Sequence, residues 1–207
     1  MTPQPDAIRG ATIVGTGMYV PERVLDNADL ERMVDTSDAW IRERTGIVER
    51  RIAAPDQASS DLAAEAARRA LAMAGIAADE VDQIVLATTS PDTYLPSCAC
   101  VVQQKIGATR AAAFDVFAAC TGFIYGLGVG RSLIASRFAD TVLVIGVECL
   151  SRITDYTDRN TCVLFGDAAG AAVLRPCEPG TGVLSVSMHS DGTLGDVLVI
   201  PAGGSRH

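Results

Sequence analysis

The run Phe114-Asp115-Val116-Phe117-Ala118-Ala119-Cys120-Thr121-Gly122-Phe123 carries the strongest chemical signal in this chain. An apolar stretch ends at a cysteine, a glycine follows two residues later, and a segment almost free of charge continues to Gly130. The pattern predicts a buried strand, a tight turn and a buried helix, with the thiol at the turn. A sulfur held there meets the positive end of a helix dipole, which favours thiolate over thiol. The thiolate is the nucleophilic form. The remaining cysteines, Cys98, Cys100, Cys149, Cys162 and Cys177, read as small apolar core residues or free thiols. Cys98 and Cys100 are separated by one residue and no matching Cys/His pair occurs elsewhere, so a zinc site is not expected.

Other spacings say less. Gly15-Thr16-Gly17 after a short apolar run resembles the start of a dinucleotide loop. The third glycine position holds Val20, however, and Pro21 follows, so no helix can begin in the required way. Trp40 is the single tryptophan and by itself reads as core. Arg42, Arg44, Arg50 and Arg51 make one local basic spot, which alone reads as solvated surface charge as readily as a binding patch.

The elements that must position Cys120 alternate. Short apolar runs at residues 11–15, 84–87, 112–119 and 142–147 predict strands, with two more at 162–165 and 170–174 and the start of another at 183–188. Helices are predicted from Asp26-Asn27 through Met33, from Asp38 to a stop at Gly46, over 61–74 with Ser60 or Asp61 as cap and Gly75 as stop, over 96–106, and over 122–136. This order predicts an α/β fold with a mostly parallel sheet and right-handed crossovers. The helix after Cys120 is apolar nearly all round and carries Gly126, Gly128 and Gly130. Glycine inside a helix costs about 1 kcal/mol relative to alanine, so the close approach of another backbone is expected there.

Composition narrows the function classes. The chain has 207 residues, is 48% hydrophobic but only 5% aromatic, and carries a formal net charge of -8. Its core must therefore be aliphatic, and nucleic acid is an unfavourable partner. No apolar span is long enough for a membrane helix. The N-terminal residues 1–10 are polar, with no signal-peptide apolar segment. A cytoplasmic protein with reduced thiols is the expectation.

Several stretches in order resemble the β-ketoacyl-acyl-carrier-protein synthase III family of the thiolase-like superfamily. They are Trp40-Ile41-Arg42-Glu43-Arg44-Thr45-Gly46-Ile47, Ser60-Asp61-Leu62-Ala63, Ala87-Thr88-Thr89-Ser90-Pro91-Asp92, Pro96-Ser97, Ala113-Phe114-Asp115 with Ala118-Ala119-Cys120-Thr121-Gly122-Phe123, Thr157-Asp158-Arg159, and Phe165-Gly166-Asp167-Ala168-Ala169-Gly170-Ala171. The resemblance covers residues 10–207. It implies a thiolase-like αβαβα sandwich of two αβαβαββ halves. Residues 10–176 would be the first half, and 183–207 the start of the second. It also implies condensation of an acyl-CoA starter, such as acetyl-CoA, with malonyl-acyl carrier protein. No cofactor is implied, since acyl-CoA is a substrate, and a homodimer is expected.

Residue by residue, the resemblance makes Cys120 the acylated nucleophile. It makes Trp40 and Arg159 two walls of the CoA adenine site, and Arg44 a contact to the CoA phosphates. Leu95 matches a position that reaches across the dimer to cap the partner's acyl pocket, and Phe165 a tunnel residue near the cysteine. Ala168 departs from the family's Gly-Asp-Gly-Ala-Gly, so the backbone there must tolerate a Cβ. The family mechanism also needs a histidine and an asparagine, from His-Gln-Ala-Asn and Gly-Asn-Thr-Ser segments that do not occur here. The two histidines are His189 and His207, and neither matches them. The chain therefore reads as a fragment able to accept an acyl group but not to condense it. The alternatives are a thiolase-fold acyltransferase that transfers without decarboxylation, decided by residues outside this chain, and a non-catalytic dimerisation partner with an inert Cys120.

Overall fold

The computed structural model describes residues 8–205. Most of the polar N-terminal stretch, and His207, lie outside the described residues. A five-stranded sheet has the order β1 (Gly10–Tyr19), β7 (Asp167–Cys177), β6 (Val142–Cys149), β4 (Gln83–Ala87), β5 (Ala112–Val116). A hairpin of β2 (Arg23–Asp26) and β3 (Glu49–Ile52) stands apart from it. Two helices, α1 (Asn27–Glu31) and α2 (Asp38–Thr45), lie in the loop of that hairpin. Helices α3 (Ser59–Ala74) and α4 (Cys98–Ile106) pack on one face of the sheet, and α5 (Gly122–Ala135) on the other.

β4 pairs in parallel with β5 and β6, whereas β7 is antiparallel to both β6 and β1. The sheet is thus mixed rather than mostly parallel. The antiparallel part follows from connections: β7 returns beside β6 without a crossover helix, as a parallel strand cannot. β4 is buried along its whole length, as its continuous apolar run predicts. β5 is not. It is an edge strand, ends at Val116 rather than Ala119, and leaves Phe114 partly exposed.

Helix boundaries follow capping chemistry. Ser37 Oγ accepts from Trp40 N at 3.1 Å to start α2, and Gly46, at φ 74°, ends it. α3 begins two residues before the expected start. Asp61 reaches back to accept from Ala58 N at 2.9 Å, while Ser60 N donates to Asp92 instead. α4 is held by its neighbour: Asp115 of β5 accepts from Cys98 N and Ala99 N at 2.8 and 2.7 Å.

The glycines of α5 have a different reason from the one expected. A Cβ at Gly126 would lie 2.9 Å from Val144 Cγ1, and one at Gly130 2.7 Å from Leu174 Cδ1. At these two positions sheet side chains, not another backbone, fill that space, and at Gly128 the side chains of Val186 and Met188 do. The outer side of α5 is crossed by residues 183–189: Arg131 Nε donates to Val183 O at 2.8 Å, and Tyr125 Oη to His189 O at 2.9 Å. Residues 183–188 form no strand, and only an isolated bridge joins Gly182 to Ala11. The apolar run at 162–165 is likewise a set of turns, with Cys162 and Val163 buried. No helix among the described residues is long and apolar enough to cross a membrane.

Candidate active site

The parallel strands β4, β5 and β6 end on one edge of the sheet, the edge where open α/β sheets bind ligands. Cys120 lies just past the end of β5, exposed, in a 3-10 turn, Ala119–Thr121, that leads directly into α5. The expected strand, turn and helix are all present. Ala119 sits at φ 46°, a left-handed conformation uncommon for a residue with a Cβ. Such strain collects at functional turns. Thr121 closes the turn, its N and Oγ1 donating to Ala118 O at 3.2 and 2.8 Å. A Cβ at Gly122 would lie 2.8 Å from Ala87 Cβ, so only glycine lets α5 start against the end of β4.

The same edge is locked by Glu148 at the end of β6. Its carboxylate accepts from Thr89 N at 2.8 Å, Thr89 Oγ1 at 3.0 Å, Thr88 Oγ1 at 3.4 Å and Ser90 Oγ at 2.5 Å. The Thr-Thr-Ser motif is thereby explained as a set of donors to one half-buried carboxylate. Asp167, 2% exposed, performs a similar task. It accepts from Ala53 N at 2.7 Å, Ser151 N at 2.9 Å and Ser151 Oγ at 2.6 Å. Ala168 beside it is ordinary extended strand, paired with Glu148, so the alanine carries no strain.

Trp40, Arg44 and Arg159 come together. Arg159 Cζ lies 4.5 Å from the Trp40 ring centroid and Arg44 Cζ 5.8 Å from it. Arg159 comes from the long segment that leaves the end of β6, and Asp35 Oδ2 lies 4.0 Å from its Nη1. Its Nε is buried with no hydrogen-bond partner. As two walls around a purine, Trp40 and Arg159 are too close. Two stacked layers at about 3.5 Å each need about 7 Å. The pair is closed on itself.

The other expected residues lie on separate segments. Leu95 is 87% exposed, in the loop before α4, and the Leu95–Pro96 peptide is cis. Phe165 is half-buried in the stretch entering β7. His189 is exposed and enters the hydrogen-bond pattern through its carbonyl. All six cysteines are free. Burial pushes the thiol pKa of Cys98, Cys149 and Cys162 up, helped at Cys98 by Asp92 and Asp115, which leaves these thiols protonated and unreactive. A cavity of about 230 Å³ lined by Arg23, Met33, Ile52, Arg152 and Tyr156 among others includes neither Cys120 nor Trp40. Among the described residues no group of His, Cys, Asp and Glu side chains is placed to hold a metal.

Beyond their positions, Glu148, Asp167 and Asn27 carry no sequence signal as site-building residues, and Arg50, grouped in the sequence with a solvated basic spot or binding patch, is instead 4% exposed with its guanidinium bonded to Val163 O and Asn27 Oδ1. The only sequence signal for the first two is position: an acidic residue at the end of an apolar strand, and one between glycine and alanines at the start of another.

The layered α/β fold, with an exposed cysteine between the end of β5 and the start of α5, fits the thiolase-like class. Solved structures agree. Over 89% of this chain and 60% of that one, 3-oxoacyl-[acyl-carrier-protein] synthase III from Aquifex aeolicus VF5 superposes with a TM-score of 0.87 at 49% identity. The corresponding enzyme from Pseudomonas aeruginosa PAO1 gives 0.89 at 45% identity, over 96% of this chain and 62% of that one. The family described as 3-oxoacyl-[acyl-carrier-protein (ACP)] synthase III matches residues 114–192. β-Ketoacyl-[acyl-carrier-protein] synthase III of Caldanaerobacter subterraneus subsp. tengcongensis is 55% identical over 196 residues, 95% of this chain and 59% of the relative. The chain resembles β-ketoacyl-ACP synthase III proteins along nearly all of its own length and spans about three fifths of the length of the relatives it matches.

Proposed function

We propose that Cys120 is the acyl acceptor of a β-ketoacyl-ACP synthase III and that acyl-CoA, with acetyl-CoA as the expected starter, is the donor. The Cys120 thiolate adds to the thioester carbonyl, and the tetrahedral adduct expels CoA thiolate, leaving an acyl-cysteine. Malonyl-acyl carrier protein then loses carbon dioxide. Its carbanion attacks the acyl-cysteine, the Cys120 thiolate leaves, and a 3-oxoacyl thioester remains on the carrier. In this reading Trp40 and Arg159 open to take the adenine, an aromatic face and a guanidinium plane being suited to a purine, and Arg44 meets the phosphates. Phe165 lines the acyl tunnel, Leu95 caps the partner's pocket in a homodimer, and the protein works in the cytoplasm with its substrates. Residues 10–176 act as one thiolase-like half, with 183–207 as the start of the other. Decarboxylation needs preorganised donors for the enolate oxygen. The histidine and asparagine expected for that role are not among these residues, so this chain alone is proposed to load Cys120 without condensing.

The observation that carries the reading is the exposed Cys120 on a strained turn at the ligand-binding edge, leading straight into α5. Incubating the chain with acetyl-CoA and mapping peptides by mass tests it. An acetyl group on the Cys120 peptide, absent in Cys120→Ala, with one CoA released per chain, is the expected outcome. No adduct and no release would refute the reading. Formation of 3-oxoacyl product from this polypeptide alone would refute the division of labour.

A further inference from the structure

A buried cation lies between the two segments that carry Trp40 and Arg159. Arg50, in β3, is 4% exposed. Its Nε donates to Val163 O at 3.0 Å, Nη2 donates to the same carbonyl, and Nη1 donates to Asn27 Oδ1 at 2.5 Å. Asn27, 2% exposed, passes the connection on: its Nδ2 donates to Asp38 Oδ1 at 2.7 Å and to Ile47 O at 3.0 Å. Asp38 is the first residue of α2, two before Trp40, and also accepts from Arg42 Nε. Val163 lies four residues after Arg159. One guanidinium and one amide therefore link the helix of Trp40 to the segment of Arg159.

This link is costly if its only task is to hold the hairpin. A buried cation bonded to neutral oxygens is poorly compensated, and burial lowers the pKa of Arg50. A well-packed apolar side chain would fill the same space at lower cost. Arginine adds something an apolar side chain lacks: a planar fork with donors in fixed directions. That fork sets the position of the Val163 carbonyl relative to Asn27, and through Asn27 that of the start of α2.

We propose that Arg50 is a positioning residue that sets the separation of Trp40 and Arg159, and hence the affinity for the adenine end of CoA. The ligand half of this statement rests on the acyl-CoA reading above; the spacing half does not.

Trp40, the single tryptophan, reports directly. Arg50→Met keeps an unbranched apolar stem, two atoms shorter than arginine, and removes the donors. In the free chain, Trp40 emission should shift to longer wavelength and acrylamide quenching should rise, because Arg159 no longer covers the ring. CoA binding, followed by the same emission, should weaken about tenfold, the scale of one lost charge-assisted contact. Ile134→Val, in a separate core cluster, is the control for lowered stability and should leave emission and quenching unchanged. If Arg50→Met melts earlier while its native emission and quenching match wild type, its role is structural only and the proposal is overturned. Should Arg50→Met not fold, Asp38→Ala cuts the link at its half-exposed end, and the same readings decide: a shift supports positioning, and none overturns it. A wild-type chain that gives no response to CoA would sink the acyl-CoA reading, while the emission comparison would still decide the role of Arg50.

Discussion

Replacing Trp40 by alanine probes the proposed CoA site where its geometry is best defined. Arg159 Cζ stands 4.5 Å from the ring centroid, and a purine between the two needs about 7 Å. Arg159 must therefore withdraw by roughly 2.5 Å before the base can enter. Withdrawal gives up a cation–π contact worth about 0.5–1 kcal/mol at a part-exposed site, and stacking of the base on the indole returns about 1–3 kcal/mol. Trp40→Ala removes both effects. The net loss in CoA affinity is then about 0.5–2 kcal/mol, or roughly 2- to 30-fold. Acyl-pantetheine, which lacks the adenine, should bind wild type and variant alike. Calorimetric titration of the chain with both ligands makes the comparison. Equal weakening of CoA and pantetheine would mean the indole shapes the protein rather than holding the base. Unchanged CoA affinity would mean that the adenine binds elsewhere.

Other outcomes follow from particular contacts. In the native chain an iodoacetamide pulse should label the exposed Cys120 and Cys100 and spare the buried Cys98, Cys149 and Cys162. Peptide mapping checks this, and strong labelling of Cys149 would contradict the packing of β6. Gly126→Ala should destabilise by about 1–3 kcal/mol through overpacking, since its Cβ would lie 2.9 Å from Val144. Gly128→Ala should be near neutral in the same urea titration, because its nearest neighbour, Val186 Cγ1 at 3.3 Å, belongs to a segment outside any strand or helix and alanine recovers helix propensity of about 1 kcal/mol. Hydrogen bonds from Asn27 and Arg42 hold the Asp38 carboxyl below its ordinary pKa of 3.8. A group depressed in the folded state stabilises above its unfolded pKa and loses that contribution as pH falls through its folded one. The acid-induced change in Trp40 emission should thus have its midpoint below pH 3.8, and Asn27→Ala should move that midpoint up towards this value.

Local pattern made the elements around Cys120 legible. The apolar run, the turn and the helix are short-range features, and each survives in the structure with small shifts in its ends. The same holds for α2 and α3, where Ser37, Gly46, Asp61 and Gly75 act within a few residues of themselves. Apolar runs misled where they lacked a partner. Residues 162–165 are apolar enough for a strand, yet the Val163 carbonyl is taken by Arg50 rather than by a ladder neighbour. The hairpin of β2 and β3 went unseen for the opposite reason: its residues are largely charged, and their pairing spans two intervening helices.

Residue types in local order were enough to single out the turn at Cys120, the elements on either side of it and the family resemblance, because capping and turns act over a few residues. Only the tertiary structure decided which polar side chains hold the site. Arg50 meets Val163 across 113 residues and Asp167 meets Ala53 across 114. No sequence period encodes such pairings. They exist because folding removes water from both partners at once, and a buried donor or acceptor must then find its complement wherever the chain has brought it. The closed Trp40–Arg159 pair is decided the same way, by two segments that meet only when the hairpin packs against the residues that follow β6.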